Sequence, residues 1–124
     1  MSQCARRILV VEDDEDIRES LREVLEAEGY TTCAAENGRA ALDAMLHGEQ
    51  PCVILLDLMM PVMNGAEFLG IIRRDPRLRN IPVIVVSARL GAPAPAGTQG
   101  FLRKPLDLDT LFAALARHCP ADIG

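Results

Sequence analysis

The chain has no tryptophan, one tyrosine and three phenylalanines in 124 residues, so it offers no aromatic series on which nucleobases could stack. A basic surplus is missing as well. Thirteen Lys+Arg stand against 18 Asp+Glu, a net charge of -5 with no Lys/Arg block, which argues against a direct nucleic-acid partner. No apolar run approaches the roughly 20 residues of a membrane span, and Met1 to Arg6 carries neither a signal core nor a cleavage pattern. A soluble, cytoplasmic protein without a membrane partner is expected. No Cys-x-x-Cys pair occurs: Cys4, Cys33, Cys52 and Cys119 are widely spaced, and are read as buried thiols in a reducing compartment rather than a metal or redox centre. Internal repeats are absent, and so is any linker toward a second domain. What is present is a 49% hydrophobic composition, too apolar for a disordered chain. The length suits one domain, residues 1–124 with a core from about 7 to 118, large enough to fold without disulfide or metal staples.

Short apolar runs alternate with segments of helical periodicity. Ile8 to Val11, Tyr30 to Ala35, Cys52 to Leu56, Ile81 to Val86 and Gly100 to Arg103 read as strands. The third lacks any polar alternation, as a strand covered on both faces should, and is expected to be central. Asp14-Glu15-Asp16 opens the first helix with an acidic turn, Ile17, Leu21, Val24, Leu25 and Ala27 follow at helical spacing, and Gly29 stops it. Asn37-Gly38 leads into a second helix carrying Ala40, Ala41, Leu42, Ala44, Met45 and Leu46, and Gly48 ends it. Gly65 to Arg74 makes a third, with Phe68, Leu69, Ile71 and Ile72 expected inward and Asp75-Pro76 breaking it. A last helix begins near Leu106 to Asp109 and turns Leu111, Phe112, Leu115 and Ala116 toward the core. This alternation predicts right-handed crossovers and an α/β doubly wound, five-stranded parallel sheet. One connection breaks the pattern. Ala88 to Gln99 holds two prolines and two glycines in twelve residues, which leaves no window for three helical turns.

Carboxylates and one lysine fall at the ends of these runs: Glu12-Asp13-Asp14 after the first, Asp57 after the third, Lys104 after the fifth. Residues just beyond the carboxyl ends of parallel strands gather in one crevice. The expected site is therefore acidic with a cationic partner. Its residues resemble the receiver domain of two-component response regulators, in the order Val11-Glu12-Asp13-Asp14, Leu56-Asp57-Leu58-Met59-Met60-Pro61, Val86-Ser87-Ala88 and Lys104-Pro105. The resemblance runs from about Arg7 to His118 and implies a flavodoxin-like receiver fold. The family usually carries its fourth helix between Ser87 and Lys104. Here that spacing is 104 − 87 = 17, shorter than the family's, and the helix is expected to be lost or reduced to a loop.

Clustered carboxylates repel one another unless a cation sits among them, and a hard divalent ion with oxygen ligands is the natural solution. By resemblance the ion is Mg²⁺, with Mn²⁺ as a substitute; Asp13 and Asp57 are direct ligands, the Met59 main-chain carbonyl a third, and Glu12 acts through a bound water. Asp14 reads as a helix cap. The resemblance makes Asp57 the phosphoacceptor, a carboxylate able to form an aspartyl phosphate. Lys104 would neutralise charge on the phosphoryl group and Ser87 would donate its hydroxyl. Ser87 and Phe101 match the family's switch pair, and Pro105 its cis-peptide position. The implied partners are a histidine kinase or phosphotransfer protein upstream and an unnamed protein downstream.

Two other functions compete. A Mg²⁺-dependent aspartyl phosphatase of the haloacid-dehalogenase kind needs a second Asp two residues after the nucleophile, where this chain has Met59, a side chain without acid-base chemistry. A phosphorylation-independent adaptor would not need Asp13, Asp57, Ser87 and Lys104 together. The expected protein is thus a stand-alone signalling switch, not an enzyme, that takes a phosphoryl group onto Asp57 and changes its protein contacts.

Overall fold

The computed structural model describes residues 7–47, 50–57, 65–87, 98, 100–103 and 107–118. Among these, five strands and four helices follow in the order β1 (Arg7–Val11), α1 (Glu15–Ala27), β2 (Thr31–Ala35), α2 (Gly38–His47), β3 (Val53–Asp57), α3 (Gly65–Arg74), β4 (Val83–Ser87), β5 (Gly100–Arg103) and α4 (Leu108–His118). Every strand pair is parallel, and the sheet order is β2-β1-β3-β4-β5. The fold is the doubly wound α/β arrangement that the alternation of runs predicts. The fourth-helix expectation falls on residues 88–97 and 99, outside the described residues.

Alternation along the strands divides the core into two layers, because successive side chains leave a strand on opposite faces. Leu9, Val11, Ile54, Leu56, Val83 and Val85 meet α2 and α3 through residues such as Ala41, Met45, Phe68 and Ile72. Ile8, Val10, Val53, Leu55, Ile84 and Val86 meet α1 and α4 through Leu21, Leu25, Leu111 and Leu115. All five residues of β3 are buried, which is why its sequence shows no polar alternation. Each fully buried Leu, Ile or Phe contributes roughly 1.5–3 kcal/mol relative to exposure.

The helix ends are built as their sequences dictate. Asp14 Oδ1 accepts the Ile17 amide at 3.0 Å, and Asn37 Oδ1 accepts the Ala40 amide at 2.8 Å, each satisfying a donor that the first turn leaves free. At the other end of α1, Gly29 takes a φ of 98°. Its amide donates to the Glu26 carbonyl at 3.0 Å while the Tyr30 amide donates to Leu25 at 3.0 Å. This double closure needs a left-handed residue, and it seats Tyr30 beside Leu25 in the core.

Three sequence expectations are corrected. Ile71 is 37% exposed and Ala116 is exposed, where both were expected inward; Leu46, on the second helix, is 42% exposed. At about 100° per residue, Phe68, Leu69 and Ile72 already span the arc of α3 that faces the sheet. Ile71 lies beyond its edge, and Leu46 and Ala116 stand likewise beside the buried stripes of their helices. The third correction concerns sulfur: Cys33 is a free, half-buried thiol, whereas Cys52 is disulfide-bonded. Spacing along a chain does not reveal which cysteines a fold brings within bonding reach.

Candidate functional site

The sheet order reverses direction between β1 and β3, and ligands of open α/β sheets bind outside the strand ends at such a switch point. Both strands end there in acid. Register pairs Val11 with Leu56, so the next residues, Glu12 and Asp57, arrive at the same level. Asp57 is in turn paired with Val86 of β4. Glu12 and Asp57 are 3% and 6% exposed, the two buried charged residues among those described, while Asp13 is exposed. One carboxylate oxygen from each of Glu12, Asp13 and Asp57 lies within 4.8 Å of the others.

The turn that carries Glu12 and Asp13 is fastened on several sides. The Glu12 amide donates to the Ala35 carbonyl at 3.0 Å, extending the β1-β2 ladder by one residue. Its carboxylate accepts the Asp14 amide at 3.2 Å, and its carbonyl accepts Nη1 of Arg18 at 2.9 Å. Asp14 then caps α1. The helix cap and the acidic cluster are therefore one continuous piece of backbone.

Three carboxylates this close repel by a few kcal/mol per pair at an effective dielectric of about 20. The donor set consists of oxygen alone, as a hard divalent cation requires, and oxygens on one Mg²⁺ at about 2.1 Å lie up to about 4.2 Å apart. The observed 4.8 Å limit also leaves room for a carboxylate that reaches the ion through water. The cluster thus fits Mg²⁺ on chemistry and on spacing.

Of the residues singled out from the sequence, Glu12, Asp13 and Asp57 are brought together. Ser87 closes β4 opposite Arg103, and Phe101 pairs with Val85; their side chains lie outside the described set, as do Met59 and Lys104 entirely. Sequence reasoning passed over Arg18, whose guanidinium reaches the Glu12 carbonyl, a contact that no spacing in the sequence marks. It also passed over a count: Lys104 is the single lysine among 13 basic residues.

An acidic, Mg²⁺-compatible cluster lies at the switch point of a 2-1-3-4-5 parallel sheet, and the class that this fold and site point to is the regulatory receiver domain. The chain belongs to the response regulator receiver domain family, whose model matches residues 8–116. It is 38% identical over 126 residues to response regulator MprA of Mycolicibacterium vanbaalenii, an alignment covering 95% of this chain and 53% of that protein. The chain thus spans about half the length of that curated relative. Among solved structures it resembles response regulator TrrA of Thermotoga maritima, in complex with Mg(2+)-BeF, with 31% identity and a TM-score of 0.81, covering 90% of this chain and 97% of that one. Chemotaxis protein CheY4 of Vibrio cholerae is similar at 29% identity and a TM-score of 0.81, covering 92% and 98%.

Proposed function

We propose that this chain is a Mg²⁺-dependent phosphoacceptor that receives a phosphoryl group on Asp57 from a phosphohistidine of a histidine kinase or phosphotransfer protein. The observation that carries the reading is the convergence of Glu12, Asp13 and Asp57 within 4.8 Å at the switch point. An Asp57 carboxylate oxygen forms the new P–O bond as the donor's P–N bond breaks, and the donor histidine leaves with the bonding pair. The transfer needs positioning and charge neutralisation more than covalent help. Asp13, Asp57 and the Met59 carbonyl would hold the Mg²⁺, with Glu12 reaching it through water, and the ion would supply part of that neutralisation. Lys104 places its ammonium on a phosphoryl oxygen, Ser87 donates its hydroxyl to another, and Phe101 turns inward as Ser87 moves.

Residues 1–124 act as one receiver module in this reading, with the segment from Ala88 to Gln99 replacing the family's fourth helix by a loop. Support for the loop is local chemistry: Pro93 and Pro95 remove backbone donors and disfavour helical dihedrals before them. Output through a changed contact with a downstream protein follows from the same switch. No helix among the described residues is long and apolar enough to cross a membrane. The test is incubation with Mg²⁺ and a small phosphoramidate donor, followed by intact mass and fragmentation. One phosphoryl group on Asp57, lost in Asp57→Asn, is the expected result. No phosphorylation, or phosphate mapped to another residue, overturns the assignment.

A further inference from the structure

We infer that Arg18 is a positioning residue for the metal site: from the first turn of α1 its guanidinium grips the Glu12 carbonyl and thereby fixes where Asp13 presents its carboxylate. The inference rests on the Mg²⁺ reading of the cluster and adds a residue that the acidic motif does not contain. Nη1 of Arg18 donates to the Glu12 carbonyl at 2.9 Å from a half-buried side chain, while its own amide donates to Asp14 at 2.9 Å. Arg18 therefore holds both ends of the Glu12-Asp13-Asp14 turn, one by side chain and one by backbone. Asp13 needs such help. It is exposed, and the peptide plane it shares with Glu12 is the one whose oxygen Arg18 captures. Groups that orient metal ligands without touching the metal typically alter affinity about 10–100-fold when removed.

The alternative role for Arg18, a charge that tempers the acidic cluster, predicts an effect of the opposite sign. Deleting a cation near a divalent-ion site tightens binding, because one repulsive charge is gone. Deleting a positioning contact loosens it. The experiment is calorimetric Mg²⁺ titration of the unphosphorylated chain with wild type, Arg18→Met and Arg18→Lys, alongside amide exchange of each protein free of metal. Positioning gives Arg18→Met a Mg²⁺ dissociation constant about tenfold higher, largely restored by Arg18→Lys, with faster exchange at the Asp13 and Asp14 amides and unaltered exchange from Leu21 to Leu25. An unchanged or lower dissociation constant in Arg18→Met overturns the inference. So does unchanged exchange at Asp13 and Asp14, whether or not the wild type takes Mg²⁺. A wild-type chain that binds no Mg²⁺ overturns the metal reading instead, and leaves the exchange result to decide whether Arg18 holds the turn. Should Arg18→Met fail to fold, Arg18→Gln is measured in its place, since it keeps a donor too short to reach the same carbonyl.

Discussion

Glu12 and Asp57 are acids kept out of water at 3% and 6% exposure, beside the exposed Asp13, and like charges this close disfavour the metal-free state. Asp13→Asn should therefore leave the metal-free melting temperature equal or higher while abolishing most of the rise that Mg²⁺ produces; paired thermal melts with and without the ion check both halves. A second prediction concerns pH. Hydrogen bonds from the Thr110 hydroxyl and then the Thr110 amide hold the Asp107 carboxyl below its ordinary range, against a smaller opposing effect of desolvation. A carboxyl lowered on folding contributes stability above its unfolded value of about 4, and that contribution fades as pH falls through the folded value. Asp107→Asn keeps a competent helix cap, so the wild type's lead over it should shrink below about pH 4 in melts run across that range. Much of the acidic site was legible in the sequence because its members close apolar runs. Arg18 was harder to find, since its contact depends on where a side chain from the next helix returns, and the bonding of Cys52 escaped because spacing along a chain does not mark it.

Helices expose the limit of periodicity. The spacing of apolar residues located α1, α2, α3 and α4 correctly, and the caps Asp14 and Gly29 fixed both ends of α1. Yet Ile71 and Leu46 fit the periodic pattern and still face outward, because a helix lying on a sheet buries an arc narrower than its apolar residues can occupy. The left-handed turn at Gly29 gives a direct prediction: Gly29→Ala should lower unfolding free energy by about 1–2 kcal/mol, read by denaturant titration, since a Cβ is penalised by that amount in this conformation. Truncating an enclosed side chain costs more. Leu25→Ala should lose about 2–5 kcal/mol by the same measurement, from lost burial and the cavity left under α1. For the proposed loop between β4 and β5, amide exchange is decisive. Fast exchange across Leu90 to Thr98 is expected, and uniform strong protection there would restore the family's fourth helix.

For the molecule as a whole, a site built from the ends of the two neighbouring central strands ties ligand binding to global stability. Mg²⁺ at about a hundred times its dissociation constant should raise unfolding free energy by roughly 2.7 kcal/mol through mass action; an unchanged melting temperature across the millimolar range would remove the ion from the account. The parallel, doubly wound character of the sheet was readable from strand and helix alternation because few topologies satisfy right-handed crossovers, whereas the order of its strands is a fact of the fold. The same order has a consequence for how the chain is made. Of the five strands β1 emerges from the ribosome first, yet in the finished sheet it lies between β2 and β3. Its β2 edge is covered early, but the edge that β3 will occupy stays open until about 20 more residues have been added, roughly 1–4 s at ordinary synthesis rates. During that interval an apolar strand, Ile8 to Val11, offers unsatisfied backbone groups to any passing partner. The nascent chain should thus be a good client for holdase chaperones up to the arrival of Val53 to Asp57, and a poor one afterward.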